Sequence, residues 1–116
     1  MSPRRVSWLV SRGEVGLMFP EGGRSRTSRV DTGATTYGVG RIVRALPGTR
    51  VLCVYLRGDS QQTWSDLPAR REQFRIRVDE LEPKSSSSGL RGSIEVSHQV
   101  LGKLAEMEQE HFDARA

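Results

Sequence analysis

Val51-Leu52-Cys53-Val54-Tyr55-Leu56 is an apolar run of strand length, and what precedes it decides the fold. Upstream, Val39, Ile42, Val43 and Leu46 recur at i, i+3, i+4 and i+7, the spacing of one helical face. Pro47-Gly48 stops that helix. Further upstream lies a second run, Val15-Gly16-Leu17-Met18-Phe19. Continuous apolar runs suit strands buried on both faces, as in a parallel sheet. Pro20 ends this one, since proline cannot donate to a central ladder. Strand, helix, strand in that order predicts a right-handed crossover between parallel strands.

Working outward, Trp8, Leu9 and Val10 close a short helix with Gly13 as its C-terminal cap. Gly58-Asp59 marks a turn, and residues 59–72, with Pro68, read as a polar loop. Phe74, Ile76 and Val78 alternate with Arg75, Arg77 and Asp79, the pattern of a half-buried strand near a sheet edge. Ser85–Ser88 and Gly89 read as a flexible loop. Residues 91–113 read as one helix with the stripe Val100, Leu101, Leu104 and Met107. Glu106, Glu108, Glu110 and Asp113 crowd its last turns, where the helix dipole disfavours carboxylates, so that end is expected to fray. The expected class is α/β: a partial mixed or parallel sheet of about three strands, flanking helices and a long C-terminal helix. One domain is divided into a sheet portion 1–84, a Ser-rich loop 85–90 and the helix 91–113, with a marginal core.

The 116 residues allow one domain. No run approaches the ~18 apolar residues of a membrane span. Arg4 and Arg5 have no apolar h-region behind them, so Met1–Leu9 does not read as a signal peptide. The single Cys53 excludes an internal disulfide and reads as a buried structural thiol rather than a nucleophile. It suits a reducing, cytoplasmic setting and not a secreted one. The net charge of +4 is uneven: residues 1–78 carry 14 basic and 6 acidic side chains, and residues 79–116 carry 4 and 8. A basic front half is the footprint of a phosphate or nucleic-acid binder, or of a solvated arginine-rich face.

Phe19-Pro20-Glu21-Gly22-Gly23-Arg24-Ser25-Arg26-Thr27 carries the chemistry. It follows the carboxyl end of the expected first strand, where open α/β sheets bind ligands. Gly22 and Gly23 let backbone N–H groups approach an anion closely. Arg24 and Arg26 offer bidentate donors to phosphate, Ser25 and Thr27 add hydroxyls, and Glu21 can orient Arg24. It is not a P-loop, because no Gly-Lys-Ser/Thr follows.

The stretch Phe-Pro-Glu-Gly-x-Arg-Ser-Arg resembles the third sequence block of the glycerolipid acyltransferases, the lysophosphatidate (1-acylglycerol-3-phosphate) acyltransferase family. The usual block has Thr where Gly23 stands. Val51–Leu56 sits where the fourth block lies, with Cys53-Val54 in place of its usual proline. In motif terms the resemblance covers residues 8–57. It implies that Glu21, Gly22, Gly23, Arg24, Ser25 and Arg26 bind the phosphate of a glycerophosphate or lysophospholipid acceptor. It also implies acyl-CoA or acyl-carrier protein as donor, no bound cofactor, and peripheral contact with the cytoplasmic face of a membrane.

The family's base is the His of a His-x-x-x-x-Asp block, which acts on the acceptor hydroxyl. This chain has no such block: Lys103 stands five residues after His98, and Ala116 five after His111. The family's second block is missing too. The chain thus resembles the C-terminal half of the domain, with acceptor-binding residues and no base, and no turnover is expected from it alone. His98 and His111 read as helix residues, Trp8 and Trp64 as core or loop packing, and no metal-ligand spacing occurs. A second reading is a small arginine-rich nucleic-acid- or phosphate-binding protein without catalysis, although interleaved aromatics and any recognised nucleic-acid module are lacking. A third is a domain that docks on another subunit through exposed apolar sheet.

Overall fold

The computed structural model describes residues 2–21, 27–34, 37–48, 50–61 and 69–115. Helix α1 spans Pro3–Ser11, α2 Gly38–Arg44 and α3 Gly89–Asp113; strands β1, Val51–Gly58, and β2, Phe74–Leu81, form an antiparallel pair. The fold is mixed α/β with a long C-terminal helix. No helix among the described residues is long and apolar enough to cross a membrane.

Each helix follows from its local chemistry. Ser2 caps α1, its hydroxyl accepting from the Arg5 amide. Gly13, at φ +95°, turns the chain out, its amide donating to the Val10 carbonyl. Trp8 is not packed inside as expected: it is about half exposed and stacks under the Arg12 guanidinium, 4.8 Å from the ring centre. In α2 the predicted face holds, with Val39 and Ile42 buried. Helices α2 and α3 meet through small residues. The buried Gly40 amide donates to Ser97 Oγ at 2.8 Å. A Cβ on Gly40 would lie 1.8 Å from the Ser93 carbonyl oxygen, and one on Gly92 2.3 Å from that of Ser87.

The serine run is not a slack linker. Ser85 and Ser87 donate their hydroxyls to Glu95, at 2.5 and 3.0 Å. Arg44 donates to the carbonyls of Ser87 and Gly89 at 3.1 and 2.7 Å. These bonds fix the entry of α3 against the end of α2, and α3 begins at Gly89 rather than residue 91.

The sheet departs from expectation in count and direction. Two described strands pair antiparallel, with Val54 opposite Val78 and Leu56 opposite Ile76. Val15–Phe19 is not a strand: it passes beside α1, Gly16 close to Val6 and Val10, with Val15, Leu17 and Phe19 at 96%, 84% and 78% exposure. Among the described residues no strand lies beside it to complete its ladder, so the parallel crossover does not form.

The polarity of β2 is also inverted. Phe74, Ile76 and Val78 face solvent, whereas Asp79 and Arg77 lie opposite the buried Cys53 and Tyr55, on the α3 side. One helix covers β1 and meets β2 largely through charged side chains, with Leu81 at the strand's end packed against the core. Lys103 Nζ meets Asp79 at 2.8 Å, and Arg77 lies 3.8 Å from Glu110. Long stems that lie along the helix carry charge to its edge.

The core cluster among the described residues is small: Val39, Cys53, Tyr55, Val100 and Met107, flanked by Val30, Val43, Val51, Leu104 and, from the end of β2, Leu81. Burial raises the Cys53 thiol above its ordinary value, as for an inert structural thiol. The radius of gyration is 15.2 Å, against about 13 Å for a compact chain of this length. Helix α3 continues through the turns expected to fray, because its acidic end is held: Glu108 and Glu110 face Arg29 and Arg77, and Arg115 donates to the Asp59 carbonyl at 2.6 Å.

The glycines of this packing make a paired prediction. Gly40→Ala forces a methyl into backbone and is expected to cost about 1–3 kcal/mol. Gly102→Ala, in open space within α3, is expected to gain about 1 kcal/mol from helix propensity. Urea unfolding midpoints of the two variants check both signs.

Candidate functional site

The strands and helices converge on one buried polar group at the carboxyl ends of β1 and α3. Tyr55 and Arg57 project inward from β1, and Glu108, His111 and Phe112 come from the last turns of α3. Tyr55, Arg57, Glu108 and His111 are all buried. The Glu108 carboxylate accepts the Val30 amide on both oxygens, at 3.2 and 3.1 Å, and the Tyr55 hydroxyl at 3.1 Å. Burial, first of all, raises the Tyr55 hydroxyl above its ordinary range and keeps it a donor.

Arg57 spends its donors on loops. Its Nη1 reaches the Ser28 carbonyl at 2.5 Å, and Nη2 and Nε reach that of Gln61 at 3.1 and 3.3 Å. Ser28 sits at φ +57°, a strained backbone held by that bond. Asp31 closes a local turn by accepting the Gly33 amide at 2.9 Å.

Arg29 stands differently. Its guanidinium lies 3.7 Å over the Phe112 ring, with Arg57 4.8 Å over the same ring. Its side chain is half exposed, and Glu108 stands 3.8 Å away, beyond hydrogen-bond reach. Aromatic stacking and the distant carboxylate fix the position of this guanidinium while leaving it accessible.

Of the residues the sequence singled out, Glu21 is half-buried and stands beside this group. Burial raises its carboxyl above the ordinary value. A hydrogen bond from the Asp31 backbone lowers it, and the charges of Asp31 and Glu108 raise it further. Gly22, Gly23, Arg24, Ser25 and Arg26 lie outside the described residues, as does Trp64. The flank after the block, Ser28–Asp31, is tied to β1 and α3, and Glu21 before it is joined to that flank at the Asp31 backbone. Despite the nearby carboxylates, no three His, Cys, Asp or Glu side chains among the described residues are grouped to hold a metal ion.

Sequence reading missed Arg29, Arg57, Glu108 and Phe112. A signal for two of them, Arg57 and Glu108, was present. Arg57 continues the inward alternation Cys53, Tyr55, and Glu108 and His111 continue the stripe of Leu101 and Leu104 at seven-residue spacing. Arg29 had none, since its place depends on the loop path. His98 is exposed on α3. His111 is fully buried, edge-on to Tyr55 and Phe112, with no hydrogen-bond partner at Nε2.

Compared with known proteins, the chain matches no family model, no curated protein and no solved structure.

The buried imidazole gives a pH prediction. Burial, then the charges of Arg115, Arg57, Arg77 and Arg75, lowers His111 below its ordinary 6.5. The unfolded chain therefore binds the proton first as pH falls. Stability is fully present above 6.5 and is lost as pH drops from there through the lower folded value. The urea midpoint is expected to fall between about pH 7.5 and about pH 5.5. His111→Phe should remove most of that fall, because the carboxylates held below their ordinary range, Glu72, Asp79, Glu80 and Glu95, titrate mainly below this window. A fall of the same size in the variant assigns it to other groups.

Proposed function

We propose that this chain binds the phosphate of a glycerophosphate or lysophospholipid acceptor, as the acceptor-holding part of a glycerolipid acyltransferase. One observation supports the reading: the downstream flank of the Phe19–Thr27 block is fastened at Ser28 and Val30 to the buried Arg57 and Glu108, beside the half-exposed Arg29, and Glu21 at its upstream end accepts from the Asp31 backbone of the same flank. A phosphate at this loop would meet Arg24 and Arg26 from the block and Arg29 from its far flank. Glu21 would accept from a guanidinium or an acceptor hydroxyl. Charge-assisted, bidentate bonds of this kind are the strong ones.

Transfer needs a base to take the acceptor hydroxyl proton as oxygen attacks the thioester carbonyl and the thiolate leaves. The buried, neutral His111 is not placed for that work, and His98 has no Asp five residues on. The proposed role is therefore acceptor binding, with the base and the acyl-CoA or acyl-carrier protein supplied by a partner.

Calorimetric titration with glycerol 3-phosphate tests this. Arg24→Ala and Arg29→Ala are each expected to weaken binding tenfold or more with the circular-dichroism spectrum unchanged, and glycerol should not bind. Equal affinity in parent and variants removes the site. Tighter, steeply salt-dependent retention of an oligonucleotide transfers the basic loop to nucleic-acid binding instead.

A further inference from the structure

The end of α3 is seated by one side chain. From Gln109 to Arg115 only His111 is fully buried. Its ring meets Tyr55 and Phe112 edge-on, with centroids 5.6 and 5.1 Å away, and its Nε2 has no hydrogen-bond partner. A buried polar atom left unpartnered is rare and costs stability. A phenylalanine or leucine would seat the same turn without that cost. What the imidazole adds is a site for a proton.

The surroundings leave that proton unsatisfied. Among the described residues, β1 presents Tyr55 and Arg57 to this end of α3, β2 presents Arg75 and Arg77, and Arg115 follows the helix. Arg29 lies across the Phe112 ring from the loop side. The carboxylates at hand are engaged. Glu108 accepts from Tyr55 and Val30, Asp59 pairs with Arg75 and Arg115 at 2.6 and 3.6 Å, and Glu110 stands 3.8 Å from Arg77. An imidazolium here faces four guanidinium groups without a carboxylate of its own.

Little else holds the turn. Its ion pairs to Arg77 and Asp59 are partly exposed, and such pairs contribute little. Glu108, one turn back, is anchored by strand and loop together, so an opening that starts at Arg115 stops there.

We propose that His111 is a proton-operated latch: as pH falls below neutral its imidazole takes up a proton, residues 109–115 leave the hairpin, and Phe112 leaves Arg29. The fold up to Glu108 stays in place. Opening is linked to the proton through the ordinary value of a freed imidazole, 6.5. Between about pH 7.5 and about pH 5.5 that linkage multiplies the opening constant by at most about tenfold. An anion held at Arg29 is then bound less tightly, a consequence that rests on the anion-binding reading above.

Amide hydrogen exchange of the whole chain tests the latch, with rates referred to those of unstructured peptide at each pH. Amides 111–115 are expected to be less protected than those of Val96–Leu104 at both pH values. Their protection should drop about threefold to tenfold between about pH 7.5 and about pH 5.5. His111→Phe should remove the drop. Equal protection along the helix makes the opening global and overturns the proposal, as does unchanged protection at the end. The parent alone also decides it: a loss that begins only below about pH 5 belongs to carboxylates, not to an imidazole. Inorganic sulfate, which keeps its charge over this range, reads the consequence at Arg29. Its affinity should fall about twofold or more at the lower pH in the parent and stay level in His111→Phe. Protonation of Glu21 acts in the opposite sense. Level affinity in the parent, with the turn open by exchange, detaches Arg29 from the latch and overturns that half. Absence of sulfate binding at every pH removes the anion site instead, and the exchange result alone then judges the latch.

Discussion

A buried carboxylate organises this molecule. Glu108 is 8% exposed on the last turns of α3 and must be solvated by protein. The Tyr55 hydroxyl and the Val30 amide do this, so helix, strand and loop are bound to one group. Leaving such a buried group without one of its partners costs about 1–3 kcal/mol or more, a large part of the roughly 5–15 kcal/mol that stabilises a domain. With few buried apolar side chains, the fold leans on this network more than a larger core would. Arg57 extends it by holding Ser28 and Gln61, and Phe112 extends it by carrying Arg29.

Helix α3 divides its length among three kinds of contact. Its first turns meet α2 through Gly92, Ser93 and Ser97, where backbone approaches backbone. Its middle gives Val96, Val100 and Leu101 to the core. Its end gives Glu108 and His111 to the polar group. One helical stripe therefore changes from small to apolar to polar while keeping its period. The acidic end stays helical because cations from β2 and the 29 loop meet it.

That division explains what was legible in the sequence. Helix α2, strand β1 and helix α3 announce themselves by period and by stop signals such as Pro47-Gly48. Val15–Phe19 carried an equally clear strand pattern and did not form one, because a strand also needs a neighbour, and composition cannot supply it. The pattern of β2 was read correctly as alternation and placed the wrong way round. Alternation says that two faces differ; only the helix above decides which is inside. Glu21, which the sequence singled out from its block, is half-buried and accepts from the Asp31 backbone. Arg57 and Glu108 were hidden because a charged residue in a periodic pattern is ordinarily its solvent side, and here each is the inward one.

The inverted hairpin and the unpaired Val15–Phe19 run have the same physical origin. Each is a segment whose side chains would be satisfied by covering layers, and each meets water instead. The run leads directly into Pro20 and Glu21, and the hairpin carries Arg57, which grips the loop at Ser28. A partner that paired with the run would displace its path beside α1, and with it the approach to Glu21. One that covered the hairpin would stiffen β1 and the Arg57 anchor. Covering the hairpin would thus be coupled to the placing of Arg29, through the bond that Arg57 makes with the Ser28 carbonyl.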